Sequence, residues 1–302
     1  MMNFRWPWRA RQPLNAIRSL HVRRSPANPL LTPDSSPLLG ANLSGPSLIR
    51  VPSWIERPLG TYYLYIGNHR GKAIHLAYAD NLEGPWRVHD RAVLHSDLSI
   101  AAPDVHVDTE QREIRMYFRY SGWSAVATSN DGLAFSPRGG IISKSYLRVF
   151  RWDDAFYGIC KDGNSGWGML LRSSDGLTDF EPRGRFIRRM RHAAVLLRDR
   201  TLVVFYSRVG DAPERIVAAT VDLDEPWERW RDSEPVEVLR PEEPYEGVGF
   251  RNVRSRYGAA VQVHQLRDPF VFDDGNRLFL IYSIAGESGL AMAEMSLEVA
   301  PV

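Results

Sequence analysis

The sequence predicts an all-β protein, and more specifically a five-bladed β-propeller. Short apolar segments recur along its 302 residues, separated by turns drawn from 23 Gly and 20 Pro. Aromatic residues, which favour strands, are spread over the whole length. Beyond residue 40 one order of segments occurs five times: a first strand, an aromatic strand, a strand of small residues and a polar turn. Each copy spans roughly 40 to 75 residues, which is the size of one propeller blade.

The aromatic strand is the clearest mark of each copy. In the first copy Tyr62, Leu64 and Ile66 alternate with Tyr63 and Tyr65, which predicts a strand with two different faces. A β-sandwich would also contain short strands, but it would not repeat the same order of motifs five times. The five aromatic strands read TYYLY, IRMYFRY, AFYGIC, TLVVFY and RLFLIY.

Composition excludes several functional classes. The 38 basic and 36 acidic side chains are interspersed and leave a net charge of +2, so nucleic acid is not an expected partner. No apolar run approaches the roughly 18 residues of a membrane helix, and no secretory signal is recognised, so we expect a cytoplasmic protein without a membrane partner. The single cysteine, Cys160, excludes an intrachain disulfide and a thiolate metal site. Metal-binding and nucleotide-binding motifs are absent, so no metal and no cofactor is expected.

Two segments depart from the repeat. Residues 1–27 are predicted to be a basic N-terminal arm, because six arginines precede the first acidic residue, Asp34. A leader lying across the domain is preferred over contact with phosphates or a membrane, since two prolines interrupt any amphipathic helix. Residues 28–302 are predicted to form the propeller domain, with a long insertion at 231–262 that is expected on the binding face.

Five motifs together resemble the five-bladed propeller glycoside hydrolases of families 43, 32 and 68, over most of residues 28–295. The resemblance implies a sugar pocket at the central axis and three carboxylates: an Asp of the first blade as base or nucleophile, a second Asp that orients, and a Glu that donates the proton. Cleavage of a glycosidic bond needs one ionised and one protonated carboxyl group roughly 5 to 9.5 Å apart. The motifs are GPSLIR at 45–50, TYYLY at 61–65, LEGPW at 82–86, APDVH at 102–106 and RDPF at 267–270.

The chain departs from that family pattern at three places. Gly45 stands where the first-blade Asp would precede the proline, and Arg191 and His192 stand where the Glu would open the fourth blade. The third blade carries Asp153 and Asp154 only at the far end of its strand, where a turn is expected. The family triad is therefore not transferred to this chain.

Four residues are the candidate catalytic groups. Asp104 or Asp268 would be the ionised base or orienting group, and Glu246 or His192 would be the acid. Each has a structural alternative: Asp104 could bond neighbouring backbone, Asp268 could latch the last blade to the first, and His192 could hydrogen-bond across the axis.

The candidate substrate-binding residues come from the second and the fifth blade. His106 would share a face with Asp104, because it lies two residues further along the strand. Tryptophans near blade turns offer faces for sugar stacking, although most are expected in the core. The full set is His106, Arg119, Tyr120, Trp123 and Arg267.

The predicted function is that of a glycoside hydrolase-like protein that acts on or binds a carbohydrate in the propeller funnel. A non-catalytic glycan-binding propeller is the alternative, and a lyase or transferase that uses His and Arg is a third hypothesis. An arginine cluster before His192 has two interpretations, a solvated turn or a site for an anionic sugar. Its members are Arg185, Arg188, Arg189 and Arg191. The oligomeric state stays open.

Overall fold

A computed structural model of the chain describes residues 14–178, 180–256 and 262–300. Five antiparallel sheets of four or five strands stand around a central axis, so the prediction of a five-bladed β-propeller is confirmed. The first strand of each sheet lies nearest the axis, and successive strands step outward. No helix of the described ranges is long and apolar enough to cross a membrane.

Strands are numbered in chain order, and the first one belongs to the last blade. The first blade contains β2 (Ser44–Arg50), β3 (Tyr62–Gly67), β4 (Ala73–Ala79), β5 (Arg87–Val88) and β6 (Leu94–His95). The second contains β7 (Ile100–Asp108), β8 (Glu113–Tyr120), β9 (Trp123–Ser129) and β10 (Ser136–Lys144). The third contains β11 (Arg148–Trp152), β12 (Ala155–Lys161), β13 (Trp167–Ser173) and β14 (Glu181–Arg188).

The remaining two blades follow the same plan. The fourth contains β15 (Met190–Arg198), β16 (Thr201–Arg208), β17 (Ile216–Asp222) and β18 (Val236–Leu239). The fifth contains β19 (Arg267–Asp273), β20 (Leu278–Ile284), β21 (Gly289–Val299) and β1 (Ile17–Arg24). Short 3-10 helices span Pro33–Ser35, Pro37–Leu39, Trp227–Arg229 and Pro244–Glu246.

The core consists of apolar layers between neighbouring blades. The two faces of β3 contribute to different layers, as the alternation in the sequence predicts. Tyr62, Leu64 and Ile66 pack against the fifth blade, whereas Tyr63 and Tyr65 pack against the second. A strand buried on both faces therefore has no solvent-facing side, and the layers on either side of it hold the ring together.

Turns of sequence Ser-x-Asp-Gly tie neighbouring blades together. In the second blade the Ser129 hydroxyl accepts from the backbone of Gly132, whose carbonyl accepts from the Tyr65 hydroxyl of the first blade at 3.0 Å. In the third blade the Gly176 carbonyl accepts in the same way from Tyr117 of the second blade at 2.8 Å. These turns therefore have a structural role.

The N-terminal segment is part of the propeller. Within the predicted arm 1–27, residues Ile17–Arg24 form β1, which pairs with β21 as the outermost strand of the fifth blade. The chain thus closes its ring by joining its first strand to its last, because the open edge of β21 offers unpaired backbone groups. Residues 1–13 of that arm lie outside the described residues.

The insertion predicted at 231–262 consists of two parts, an outer strand and a linking segment. Its residues Val236–Leu239 are β18, the outer strand of the fourth blade, so the segment that links the fourth and fifth blades begins only after Leu239. This linking segment contains the 3-10 helix Pro244–Glu246, and its residues 257–261 lie outside the described residues. The prediction missed β18 because its sequence, VEVL, is short and has no aromatic mark.

Candidate active site at the mouth of the propeller

In every blade the first strand has, near its start, one residue more than the second strand with which it pairs. Pairing with the second strand slips by one residue between Ser44 and Ser47 and between Arg267 and Phe270. The second, third and fourth blades show the same slip. Bulges of this kind re-aim side chains at the end of a strand. They place five equivalent residues around one end of the axis: Gly45, Ala102, Tyr146, Arg191 and Asp268.

Gly45 leaves the first-blade position without a side chain. Its φ is +57°, and a Cβ added to it would lie 2.5 Å from the Cα of Ala102. Such a distance is far inside van der Waals contact, so only glycine fits beside the second blade. A carboxylate cannot occupy the place where the resembled family has its first-blade Asp.

Asp268 supplies an ionised carboxylate at the fifth-blade position. It is 2% exposed, its Oδ1 lies 2.9 Å from Nδ1 of His192, and its Oδ2 accepts from the Ser283 hydroxyl at 3.3 Å. Burial alone would raise the pKa of Asp268, but the nearby His192, Arg191 and Arg267 hold it far below its usual range. Asp268 is therefore charged throughout the physiological pH range.

Glu287 supplies a second carboxyl group with the opposite behaviour. It lies in the turn between β20 and β21, and it is 3% exposed. Its Oε1 accepts from Nη1 of Arg267 at 3.1 Å, and its Oε2 lies 3.8 Å from Nδ1 of His69. Burial and the charge of Asp268 raise the pKa of Glu287 to about 7. The two carboxyl groups thus occupy different protonation states near neutral pH.

Two buried arginines are held by a third carboxylate. Glu214 accepts from Arg191 at 3.2 Å and from Arg267 at 3.0 Å through the same oxygen, Oε2. Arg191 also donates to the Ser255 hydroxyl. Because Arg191 opens the fourth blade and Arg267 the fifth, Glu214 fixes the relative position of the two blades beneath Asp268.

Four partly exposed side chains surround this buried group. The Tyr146 ring lies 5.0 Å from the His192 ring, and Nζ of Lys161 lies 5.7 Å from the Tyr146 ring. Burial raises the pKa of Tyr146 to about 12. We call His69, Arg119, Tyr146 and Lys161 the rim, and we call Arg191, His192, Glu214, Arg267, Asp268 and Glu287 the floor. Rim and floor together form the axial mouth.

Burial and neighbouring cations disfavour further positive charge at the rim. The pKa of Lys161 falls to about 8 because the amine is buried and lies near Arg191 and Arg119. The pKa of His69 is lowered by burial and by the charge of Arg119. In both groups burial is the larger cause, and the charges of nearby arginines add to it.

Arg148 joins three neighbouring blades below the floor. Its guanidinium donates to the carbonyl of Ala193 at 3.0 Å and to the carbonyls of Ala102 and Leu147 at 3.2 Å. These carbonyls belong to the fourth, second and third blades, so one buried side chain bridges three first strands.

Asp104 and His106 lie below Arg148, further along the first strand of the second blade than the bulge. Oδ2 of Asp104 accepts from the backbone of Val149 and lies 2.9 Å from Nε2 of His106. Burial opposes ionisation, but His106, Arg148 and the Val149 amide lower the pKa of Asp104. A cavity of about 370 Å³ beside Asp104 and His106 reaches along the lower parts of the first strands. The sequence places Asp104 in one ring with Asp268, but the structure separates the two.

Three other predicted residues lie away from the axial mouth. Glu246 is fully buried, but it pairs with Arg24 of β1 at 2.9 Å and accepts from the Tyr282 hydroxyl, so it anchors the outer part of the fifth blade. Tyr120 lines a peripheral groove next to β10. Trp123 is 50% exposed at the β8–β9 turn. Of the predicted set, the structure brings together Asp268, His192, Arg267 and Arg119.

Glu287, the second carboxyl group of the mouth, was not predicted from the sequence. Glu287 lies in the stretch AGESG, whose composition is that of an ordinary hairpin turn. Glu214 and Lys161 lie near strand ends and were equally inconspicuous. A comparison of the five first strands at the bulge position would have found Tyr146, because it aligns with Asp268.

The axial mouth has the components of acid–base catalysis. Titratable neighbours whose environments push their pKa values apart provide a base and an acid at one pH. Here the pKa of Asp268 is lowered and that of Glu287 is raised to about 7, so the site holds one carboxylate and one carboxyl group that can carry a proton near neutral pH. In the described ranges no group of three or more His, Cys, Asp or Glu side chains is arranged to hold a metal ion.

Comparison with known proteins gives one clear relative by sequence. No protein-family profile matches the chain. It is 32% identical, over 329 aligned positions, to an uncharacterized protein of Acanthamoeba polyphaga mimivirus, with 91% of this chain and 90% of that protein covered. The chain belongs to the family of this mimivirus protein. The axial mouth is thus the candidate active site of a member of that family.

Solved structures that resemble this fold include glycoside hydrolases. A family 43 β-xylosidase/α-arabinofuranosidase from a compost microbial metagenome, in complex with xylotriose, matches with a TM-score of 0.60 at 16% identity, covering 92% of this chain and 95% of that one. The catalytic domain of the Coprinopsis cinerea family 62 α-L-arabinofuranosidase matches at 0.62 and 14%, covering 91% and 97%. At these identities the matches show the five-bladed fold of this chain alone.

Proposed function

We propose that the protein is a carbohydrate-active enzyme that cleaves a glycosidic bond at the axial mouth. The observation that carries this proposal is the pair Asp268 and Glu287, two buried carboxyl groups with oppositely displaced pKa values at one end of the axis. The axial position supports it, since in the resembled hydrolases the sugar pocket also lies on the axis, at the start of the first strands.

The two carboxyl groups divide the reaction between them. With a pKa of about 7, Glu287 carries its proton in a large fraction of molecules near neutral pH, and it donates this proton to the glycosidic oxygen, so that the leaving group departs as an alcohol. Asp268 is ionised and accepts the proton of an attacking water or stabilises the positive charge that develops on the sugar ring. Arg267 contacts Glu287 at 3.1 Å and orients it.

Known structures of the same fold support binding of oligosaccharides. The family 43 enzyme named above holds xylotriose, and the Podospora anserina α-L-arabinofuranosidase, 14% identical with a TM-score of 0.61, holds cellotriose. These sugars are ligands of those proteins. For this chain we propose only the class, a saccharide with a glycosidic bond placed over Asp268.

A second candidate function is carbohydrate binding without cleavage. It is favoured by Gly45, where contact with Ala102 leaves no room for the carboxylate of the resembled family. In that case the floor would serve to hydrogen-bond sugar hydroxyls, and Glu287 would donate a hydrogen bond without transferring its proton.

A substrate screen with two matched variants separates these functions. The full chain is incubated with a panel of oligosaccharides and aryl glycosides; binding is read from the shift in melting temperature, and cleavage from chromatography of the products. We expect Glu287→Gln to retain binding and lose about 100-fold or more in turnover. Glu294→Gln, a surface change on neighbouring β21, should leave turnover unchanged.

Each outcome decides between the candidates. Release of products that depends on Glu287 supports the hydrolase, and binding with no products supports the second candidate. Turnover that Glu287→Gln leaves at the wild-type rate, in a variant with an unchanged melting temperature, rejects the assignment of the acid. No binding by any member of the panel rejects both functions.

A further inference from the structure

We infer that the saccharide bound at the axial mouth carries an anionic group, and that Arg119 and Lys161 of the rim bind it. This inference rests on the proposed function and names its substrate class. The anionic group would be a carboxylate, as in a uronic acid, or a phosphate ester, since both present several oxygens to cationic donors.

The charges of the floor are already matched. Glu214 lies between Arg191 and Arg267, Asp268 lies against His192, and Glu287 accepts from Arg267. Buried cations of this kind are stable only when carboxylates or carbonyls hold them. The floor therefore has little capacity left to attract an anion.

Arg119 differs from the floor arginines in its partners. It lies on β8 opposite Ala101, directly beside the bulge of the second blade, and it is only partly buried. Its Nη1 donates to the Ser99 hydroxyl at 3.2 Å, and no carboxylate of the described residues lies within 4.0 Å of the guanidinium. A half-buried guanidinium with one hydroxyl acceptor has donors left for a ligand.

Lys161 brings a second cation to the same place. It ends β12 of the third blade, the blade next to that of Arg119, and its Nζ lies 5.7 Å from the Tyr146 ring. The charges of Arg119 and Arg191 act on Lys161, and that of Arg119 also acts on His69 across the rim. An anion placed among these groups would relieve their mutual repulsion, whereas a neutral sugar would not.

The four arginines that precede His192 in the sequence do not form this anion site. Arg189 pairs with Asp211 at 2.7 Å, Arg185 lies over the Trp167 ring, and Arg188 is exposed at the end of β14. Only Arg191 of that cluster reaches the axial mouth. The anion site therefore depends on two residues from the second and third blades that are distant from the cluster in sequence.

The test compares ligands that differ only in charge. Affinities of the full chain for oligogalacturonates and oligoglucuronates are measured by calorimetry against the methyl esters of the same sugars, with glucose 6-phosphate against glucose as the phosphate arm. We expect at least one acid to bind about 10-fold more tightly than its neutral counterpart, which is about 1.4 kcal/mol, because hydrogen bonds to a charged group are stronger than those between neutral groups. The preference should weaken as salt is added.

Variants assign the preference to the rim. Arg119→Gln and Lys161→Gln should each reduce the preference for the acid without changing the affinity for the ester. Arg138→Gln is the matched control, because Arg138 lies on β10 of the same blade as Arg119 but is exposed and pairs with Glu113. Unchanged melting temperatures confirm that all three variants fold.

The outcomes separate this inference from the proposed function. If esters and other neutral saccharides are bound or cleaved as well as the acids, the inference is wrong and the proposed function stands. If acids bind more tightly but Arg119→Gln and Lys161→Gln leave the preference intact, the anion site lies elsewhere and the inference is also wrong. If neither acids nor neutral sugars bind, the proposed function fails, and the inference fails with it.

Discussion

The Asp268 carboxylate and the His192 imidazole join the fifth blade to the fourth, with Oδ1 and Nδ1 2.9 Å apart. Both side chains are almost fully buried. Burial lowers the pKa of His192, so a neutral imidazole lies against an ionised carboxylate. From the sequence, Asp268 could also hold the last blade against the first. The structure shows the contact with the fourth blade, and β1 closes the ring.

Removal of the imidazole should destabilise the protein. In His192→Ala the buried Asp268 carboxylate loses its contact with the imidazole, and we expect the free energy of unfolding to fall by about 1.5–3 kcal/mol. Urea denaturation at pH 7 measures this loss. His95→Ala, at an exposed position of β6, should cost less than about 0.5 kcal/mol. Equal losses of unfolding free energy in the two variants would show that the contact between His192 and Asp268 does not stabilise the protein.

Glu287 predicts a specific dependence of stability on pH. In the unfolded chain its carboxyl loses its proton near the ordinary value of 4.5, whereas the folded protein keeps the proton up to a pKa of about 7. The folded state therefore holds more protons in this window, so stability is fully present below about pH 4.5 and is lost as the pH rises through 7.

The comparison with Glu287→Gln isolates this contribution. The difference in free energy of unfolding between the wild type and the variant should shift against the wild type as the pH rises from 5 to 8. Denaturant titrations at four pH values provide the measurement. Turnover of a substrate should fall over the same range, because deprotonated Glu287 cannot act as an acid. A stability difference that stays flat across this range would contradict the raised pKa.

Adjacent arginines of β1 should differ sharply in their contribution to stability. Arg24 pairs with the fully buried Glu246 at 2.9 Å, whereas Arg23 pairs with Glu294 with its own side chain 76% exposed. We expect Arg24→Ala to cost about 3–5 kcal/mol, because it leaves a buried charge unpaired, and Arg23→Ala to cost less than about 1 kcal/mol. Thermal unfolding of both variants tests this. Similar melting temperatures would show that β1 does not anchor the fifth blade through Glu246.

The stability of the protein should depend on the hydrogen bonds that the Arg148 guanidinium donates to carbonyls of neighbouring blades. Arg148→Met leaves the carbonyls of Ala102 and Ala193 without their buried donor, and each unsatisfied group costs about 1–3 kcal/mol. Arg151→Met on the same strand removes an exposed side chain and should have little effect. Chemical denaturation distinguishes them. A stable Arg148→Met variant would mean that water replaces the guanidinium in the axis.

The rate at which the Cys160 thiol is labelled should report unfolding. It lies fully buried on β12, and burial raises the pKa of its thiol to about 12, so the reactive thiolate is scarce in the native state. We expect a thiol reagent to label the native protein far more slowly than the urea-unfolded protein, with a rate that rises with denaturant. Rapid labelling under native conditions would contradict the buried position.

Local sequence patterns predicted the blades well. The alternation from Tyr62 to Ile66 gives β3 two apolar faces, and those faces pack against different blades. By contrast, β1 and β18 were not recognised, because an outer strand needs only backbone pairing and carries no aromatic mark. Its identity depends on the edge that it meets, β21 or β17.

The site was predicted only in part, for a related reason. Asp268 and His192 were found because they open strands in a repeated motif. Glu287 was not found, because the motif says nothing about the turn that follows the second strand. The different partners of the two aspartates were also not predicted, since strand order alone does not show which side chains meet. Asp104 contacts His106 and Val149, whereas Asp268 contacts His192 and Ser283.

The sequence by itself determined that the chain forms five similar sheets, because strand alternation and turn chemistry act over a few neighbouring residues. Only the tertiary structure decided which end of the axis each polar side chain reaches. One-residue bulges re-aim Tyr146, Arg191 and Asp268 toward one mouth, and burial there gives Asp268 and Glu287 opposite protonation states. Burial and charge are properties of the assembled ring, to which residues more than a hundred positions apart contribute.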